Sequence, residues 1–308
     1  MAVALGVVYV VWGSTYLAIR IMVKDLPPLA SAGWRFGTAG ALLGLVLVAR
    51  SGWRRLRATP AELAGCALLG LLLPALGNGL VSIGEANGAP SGIAALIVAA
   101  VPLWIIVFRG ASGDRPHPRT VGGVMLGFAG LVGLVTASGI GGDLRVLPCL
   151  VIVAATVGWS FGSWWMPHLT MPADPFVATV YEMLFGGACL TIMALLGGES
   201  IVPRGGTPHA WLAWGYLVVF GSVVAFTAYV WVLDAAPISL VATYAYVNPI
   251  VAVFLGWLIL AEPVTLPIVL GGTVVIVGVA IVVASERERH GPGATEPPHT
   301  PRELRETA

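Results

Sequence analysis

The sequence predicts an all-α integral membrane protein: ten transmembrane helices, built as two inverted five-helix repeats. Three observations carry that reading. Of 308 residues, 57% are hydrophobic and only 10% are charged, and the mean hydropathy is +0.91. Such a chain has too little polar surface to cover a globule of this size. The second observation is an internal duplication at a constant offset of 147 positions: Trp12 falls on Trp159, Pro28 on Pro175, Gly40 on Gly187, Pro90 on Pro237, Pro102 on Pro249, Pro116 on Pro263, and Ala137-Ser138 on Ala284-Ser285. Repeated halves of this kind are a signature of membrane carriers. The third is the placement of basic residues, which fixes orientation.

A bilayer-spanning helix needs about 20 apolar residues. Measured so, the spans fall at Ala2 to Val23, Leu29 to Ala49, Glu62 to Gly84, Gly88 to Phe108, Pro118 to Ala137, Val146 to Met166, Pro175 to Leu196, Ala210 to Leu233, Ile238 to Leu260 and Thr265 to Ser285. Turn and charge clusters separate them: Lys24 to Pro28, Arg50 to Pro60, Gly110 to Pro118, Met171 to Asp174, Gly197 to Pro208 and Ala261 to Pro263. The repeats are therefore expected over 1–138 and 146–285. The charged, Pro- and Gly-rich segment 286–308 is expected to be a disordered cytoplasmic tail.

With the N-terminus in the cytoplasm, the inside segments carry Arg50, Arg54, Arg55, Arg57, Arg109, Arg115, Arg119, Arg287, Arg289, Arg302 and Arg305, and the outside loops only Lys24, Arg145 and Arg204. Both termini are thus expected to be cytoplasmic. Five spans per half, an odd number, then make the second half enter from the opposite side. The preference for arginine over lysine hints at a bacterial cell membrane. The first span lacks a basic flank and a cleavage site, so it reads as a retained helix. A net charge of +1 with scattered arginines argues against a nucleic-acid partner. Cys66, Cys149 and Cys189 have no CxxC spacing and read as small apolar residues, with neither disulfide nor metal.

Trp12-Gly13-Ser14-Thr15-Tyr16 with Ala18-Ile19-Arg20, Arg35, Gly77-Asn78-Gly79 leading to Glu85, Pro90-Ser91-Gly92 with Val101-Pro102-Leu103, and Tyr244 to Pro249 followed by Glu262 resemble the EamA-type exporters of the drug/metabolite transporter superfamily. The resemblance spans both halves. It implies a ten-helix carrier whose central cavity is lined by spans one, three, four, six, eight and nine, with spans five and ten as peripheral support. It leaves the cargo open, since the superfamily includes amino-acid, drug and nucleotide-sugar carriers.

The polar residues suggest an interior site on their own. Asn78, Ser82 and Glu85 form one stripe of span three, and a polar stripe facing lipid would leave its groups unpaired. Ser239, Thr243 and Tyr246 do the same on span nine; Trp159, Ser160 and Ser163 cluster on span six; Ser222 and Tyr229 lie two turns apart on span eight. Ser14, Trp159 and Asn248 come out near mid-membrane. The substrate-binding candidates are thus Ser14, Thr15, Asn78, Ser82, Trp159, Tyr229, Tyr244 and Asn248. The opposing reading is that Ser, Thr and Asn only tie helices together.

Ionisable groups inside a span cost about 2.5–3.5 kcal/mol on insertion scales. Arg35 and Glu182, equivalent by the repeat, lie about two turns from opposite faces, too far apart in depth for a direct pair. Glu182 is the candidate for a proton-linked or substrate-cation carboxylate; Arg35 is the candidate anchor for an anionic group or the orienter of an outer gate. Against these roles stand hydration of Glu182 from the cytoplasm and snorkelling of Arg35. Arg20 and Glu85, near the outer surface, are read as a gate pair or, for Arg20, as a snorkelling side chain. Pro102 and Pro249 are expected to kink spans four and nine at matched positions. Glycines along spans five and ten suggest close helix contacts, in a monomer or a homodimer.

The partners expected are a small-molecule substrate and the lipid bilayer, with proton coupling as an option and no cofactor. An intramembrane enzyme would need a Ser-His or paired-Asp constellation, yet His117, His168, His209, His290 and His299 fall at span ends, in loops or in the tail, and no DxxD occurs. No catalytic residue is assigned. A channel, or a non-transporting receptor or assembly protein, is the remaining alternative.

Overall fold

The computed structural model describes residues 2–140, 146–235 and 244–289. Helices run through nearly all of them. We number them by span: α1 (Ala2–Val7, Val8–Trp12 and Gly13–Met22), α2 (Pro28–Ser51), α3 (Pro60–Gly70, Leu71–Asn78 and Gly79–Ala86), α4 (Ser91–Val98 and Val101–Ala111), α5 (Pro118–Ile140), α6 (Val146–Trp165), α7 (Pro175–Leu196), α8 (Pro208–Tyr216, Leu217–Val224 and Ala225–Ala235), α9 (Tyr244–Leu260) and α10 (Leu266–Arg289). Among the described residues, nine are long and apolar enough to cross a membrane, and a shorter apolar helix, Val247–Leu260, lies within α9. Large apolar side chains such as Met125, Val132, Leu196, Leu212, Phe254 and Leu270 point outward, as a lipid-facing surface requires.

Helix starts follow local chemistry. Pro28, Pro60, Pro118, Pro175 and Pro208 open α2, α3, α5, α7 and α8, where the missing proline N–H has no helical partner to lose. Thr59 and Glu62 form a reciprocal capping box on α3. Other ends are held across the chain. The Glu199 carboxylate, following α7, accepts from the Leu29 and Ala30 amides at 3.0 and 2.8 Å, and Glu262, following α9, accepts from the Ser91 amide and hydroxyl, both at 2.9 Å. Each puts negative charge on a helix N-terminus.

Helices equivalent by the repeat pack on one another, and they do so antiparallel. Gly33 lies against Gly187 and Thr191, whereas Gly40 lies against Val180, Met183 and Leu184, so α7 descends as α2 rises. Likewise Gly123 meets Gly278 and Ile281, Gly130 meets Val274 and Val275, and Leu134 meets Gly271, so α5 and α10 also run in opposite directions. A methyl group at Gly187 would approach the Gly37 amide nitrogen to 2.7 Å; glycine lets these backbones touch. The remaining pairings exchange with their counterparts: α3 packs on α6 as α8 packs on α1, and α4 packs on α6 as α9 packs on α1.

Contacts between connections fall on two faces. On one, which we call the Lys24 face, Thr207 donates to Asp25 at 2.5 Å and Glu199 and Glu262 make the caps described above. On the other, the Arg55 face, Arg55 pairs with Asp174 at 2.8 Å, and Tyr181 donates to the Leu56 carbonyl at 2.5 Å.

Several expectations shift. The tail was expected to begin at Glu286, but α10 continues to Arg289, because Arg109 pairs with Glu286 at 2.6 Å and Arg119 with Glu288 at 3.3 Å. The expected kink at Pro102 is a break: α4 stops at Val98 and restarts at Val101, with Ala100 at ψ −4° and Pro102 in the first turn of the second segment. Pro249 sits inside the helical run Tyr244–Leu260. Ser239, Thr243, Pro237, Arg145, His290, His299 and the segment beyond Arg289 lie outside the described residues, as does the Tyr246 side chain.

Candidate substrate site

The interior polar side chains form two groups. The first is built by α1, α2, α8 and α9. Trp12 on α1 packs against Tyr229 on α8, with centroids 4.9 Å apart, and against Tyr244 on α9 at 5.3 Å; the two tyrosines meet edge-on at 5.9 Å. This aromatic trio is one turn from Thr15, whose methyl would lie 3.1 Å from a Cβ at Gly221. Arg35 enters the same region from α2. It is only 5% exposed, and its Nε donates to Ser222 Oγ at 3.1 Å, so it does not snorkel to either surface. Neither Nη group has a hydrogen-bond partner among the described residues, and Nη2 lies close to Gly221.

Other members of this group are occupied by backbone. Ser14 donates to the Val11 carbonyl at 2.8 Å and shares a 2.6 Å hydrogen bond with Tyr216. Thr15 donates to the Trp12 carbonyl at 2.6 Å. Asn248 is buried against α1; with its amide oriented so that nitrogen rather than oxygen faces the carbonyls, it donates to Tyr9 and Tyr244 at 3.1 and 3.2 Å. The Tyr9 carbonyl is offered where α1 winds as a π-helix over Val8–Trp12, a local overwidening that exposes backbone acceptors and recurs at functional sites.

The second group lies on α3, α4 and α6. The Trp159 ring covers Gly77 so closely that no side chain fits there. Ser82 is buried and donates to the Asn78 carbonyl at 3.0 Å. Ser160 shares its hydroxyl hydrogen between the Thr156 carbonyl at 2.6 Å and the Val101 carbonyl, just after the break in α4, at 3.1 Å. The Asn78 amide and the Trp159 indole N–H have no hydrogen-bond partner among the described residues. No hydrogen bond among those residues joins Asn78, Ser82 or Trp159 to the Arg35 group.

The sequence-nominated residues therefore separate by availability. Ser14, Thr15, Ser82 and Asn248 are committed to helix backbone or to Tyr216. Arg35, Asn78, Trp159, Tyr229 and Tyr244 keep polar atoms unpaired among the described residues. Tyr216 and Trp12 were not nominated as site residues; the matching tryptophans of the two repeats marked Trp12, while nothing in the local pattern marked Tyr216.

The charged candidates lie apart. Glu182 is half-buried where α7 crosses α3 at Gly70, and no ion pair joins it to Arg35 among the described residues. Glu85 is fully buried at the Lys24 face end of α3, with both carboxylate oxygens unpartnered. Arg20 reaches that turn and donates to the Glu85 main-chain carbonyl. No group of His, Cys, Asp and Glu among the described residues has the arrangement of a metal site.

A family model described as the EamA-like transporter family matches residues 1–136 and 146–284. The chain is 40% identical over 255 residues to the uncharacterized inner membrane transporter YedA of Escherichia coli (strain K12), covering 82% of this chain and 80% of that protein. It is 26% identical to the uncharacterized transporter YvbV of Bacillus subtilis (strain 168), over 91% of this chain and 90% of that one. A crystal structure superposes with a TM-score of 0.62 at 19% identity, covering 94% of this chain and 98% of its own, a likeness of fold.

Proposed function

The chain belongs to the EamA-like transporter family, and from that membership we propose that it is a secondary active carrier exporting a small metabolite, amino acid or drug across the cytoplasmic membrane by alternating access. Two five-helix repeats, 1–138 and 146–285, face each other in inverted orientation with both termini in the cytoplasm. The observation that carries this reading is the antiparallel packing of α2 on α7 and of α5 on α10. Equivalent helices that run in opposite directions are related by an axis perpendicular to the helices, which in a bilayer lies in the membrane plane. The surplus of arginine on the Arg55 face supports its assignment to the cytoplasm.

In this reading Arg35 holds an anionic group of the substrate through its two free Nη groups, and Trp12, Tyr229 and Tyr244 hold an apolar or cationic part. Asn78 from the first repeat and Trp159 from the second complete the site. Ser14, Thr15, Ser82 and Asn248 shape it by fixing the backbone around it. Glu85 with Arg20 gates the Lys24 face, Pro102 and Pro249 supply the bending points, and Glu182 is the carboxylate for proton coupling.

Purified protein in liposomes, assayed for counterflow of labelled amino acids and toxic metabolites, tests the proposal. Saturable exchange supports a carrier; chemical turnover of a solute points to an enzyme, and uncoupled high flux to a channel. Glu182→Gln is expected to alter the pH dependence of export. Unchanged pH dependence removes the proton role from Glu182 and leaves the carrier reading in place.

A further inference from the structure

Glu85 is the most anomalous side chain among the described residues. It is 0% exposed, and neither carboxylate oxygen has a hydrogen-bond partner. An ionised carboxylate without partners in an apolar interior is so costly that the group takes up a proton instead. Its surroundings sharpen the point. From α1, Arg20 donates to the main-chain carbonyl of Glu85 and leaves the carboxyl unpaired, while Tyr16 lies within electrostatic reach. From the connection after α9, Glu262 also lies within electrostatic reach. Glu262 itself is committed to the amides of Ser91 and Gly92. The start of α6 packs on this end of α3 where Pro148 and Ile152 lie against Gly84, and the Ser91 hydroxyl of α4 donates to Glu262.

We propose that Glu85 is a proton-binding site at the mouth on the Lys24 face, neutral while that mouth is closed and ionised when it opens. The idea rests on the carrier reading given above, but its protonation can be measured without transport. On opening, the carboxyl O–H bond breaks, the proton passes to entering water, and both electrons stay on the oxygen. Arg20, one hydrogen bond away on the same residue, then moves from the carbonyl to the carboxylate and releases the C-terminal end of α3. Closing reverses both steps.

Infrared spectra of the purified full chain in lipid, taken across a pH series, test the site. In a Glu182→Gln background, which removes the other carboxyl group given a proton role, the chain is expected to show a protonated-carboxyl C=O stretch that vanishes as pH rises, and the further change Glu85→Gln is expected to remove it. A background without that band, or a band that persists after Glu85→Gln, overturns the proposal. If Glu85→Gln does not fold, wild type treated with dicyclohexylcarbodiimide, which adds the protonated carboxyl O–H across its C=N bond, gives the answer by peptide mapping. Label on Glu85 that declines with rising pH supports the site; Glu85 left unlabelled at acid pH overturns it. Spin labels at the exposed positions Lys24 and Asn87 are expected to move apart as pH rises, and distances constant with pH overturn the link to opening. Absence of counterflow for every solute, with the infrared band behaving as expected, would instead remove the carrier reading.

Discussion

Arg35 grips Ser222 through Nε at 3.1 Å and leaves its two terminal nitrogens without hydrogen-bond partners among the described residues. One side chain thus links α2 to α8 and still presents charge to the interior. Ser222→Ala removes the acceptor and strands a buried donor, which costs about 1–3 kcal/mol. The unfolding midpoint in detergent is expected to fall accordingly. Arg35→Lys, which keeps charge but loses the planar fork, is expected to lose counterflow even where the protein remains folded.

Committed and uncommitted polar groups should respond differently to truncation. Ser14→Ala breaks the link to Tyr216 and is expected to lower stability by about 1 kcal/mol, with little change in substrate affinity. Asn78→Ala removes an amide with no partner among the described residues, so stability should hold while the KM for counterflow rises. Melting curves and transport kinetics on the two variants, side by side, check the distinction.

Much of this architecture was legible in the sequence, and the reasons are local. The α7 bounds Pro175–Leu196 were read correctly because proline starts and glycine ends that helix. Matched glycines and prolines revealed the duplication. The π-helical windings at Leu71–Asn78 and Leu217–Val224 were not legible; they occupy nearly equivalent positions, but only the first contains a proline, Pro74, and apolar periodicity runs through both. Nor was the division between tying and available polar groups, since Ser and Asn read alike until a neighbouring carbonyl is placed. The caps from Glu199 and Glu262 depend on long-range folding and leave no pattern near Leu29 or Ser91.

Glycine at the α2–α7 crossing is a steric requirement. Gly187→Val would press a branched side chain into the Gly37 backbone, and overpacking of this kind typically costs about 1–3 kcal/mol. Gly215→Ala, where a methyl group meets nothing within 4 Å, serves as the control. Thermal melts should separate the two clearly.

Glu262 caps α4 from a strained turn. Ala261 before it has φ 53°, a left-handed conformation rare for alanine. A methyl group at Gly256 would collide with the Glu262 carboxylate and lie 2.8 Å from Ser91 Oγ. Glu262→Ala and Gly256→Ala are both expected to destabilise by about 1–2 kcal/mol, the range for loss of a helix cap. Ala261→Gly should relieve the strain and raise the melting point slightly.

α4 is broken, whereas α9 runs unbroken over its described residues, Tyr244–Leu260. Ala99 and Ala100, where α4 parts, correspond to Tyr246 and Val247 near the start of the described α9. Should the halves trade conformations during a cycle, α4 would straighten while α9 snapped at that point. The opposite-facing form would then be this same fold with the roles of its two halves exchanged.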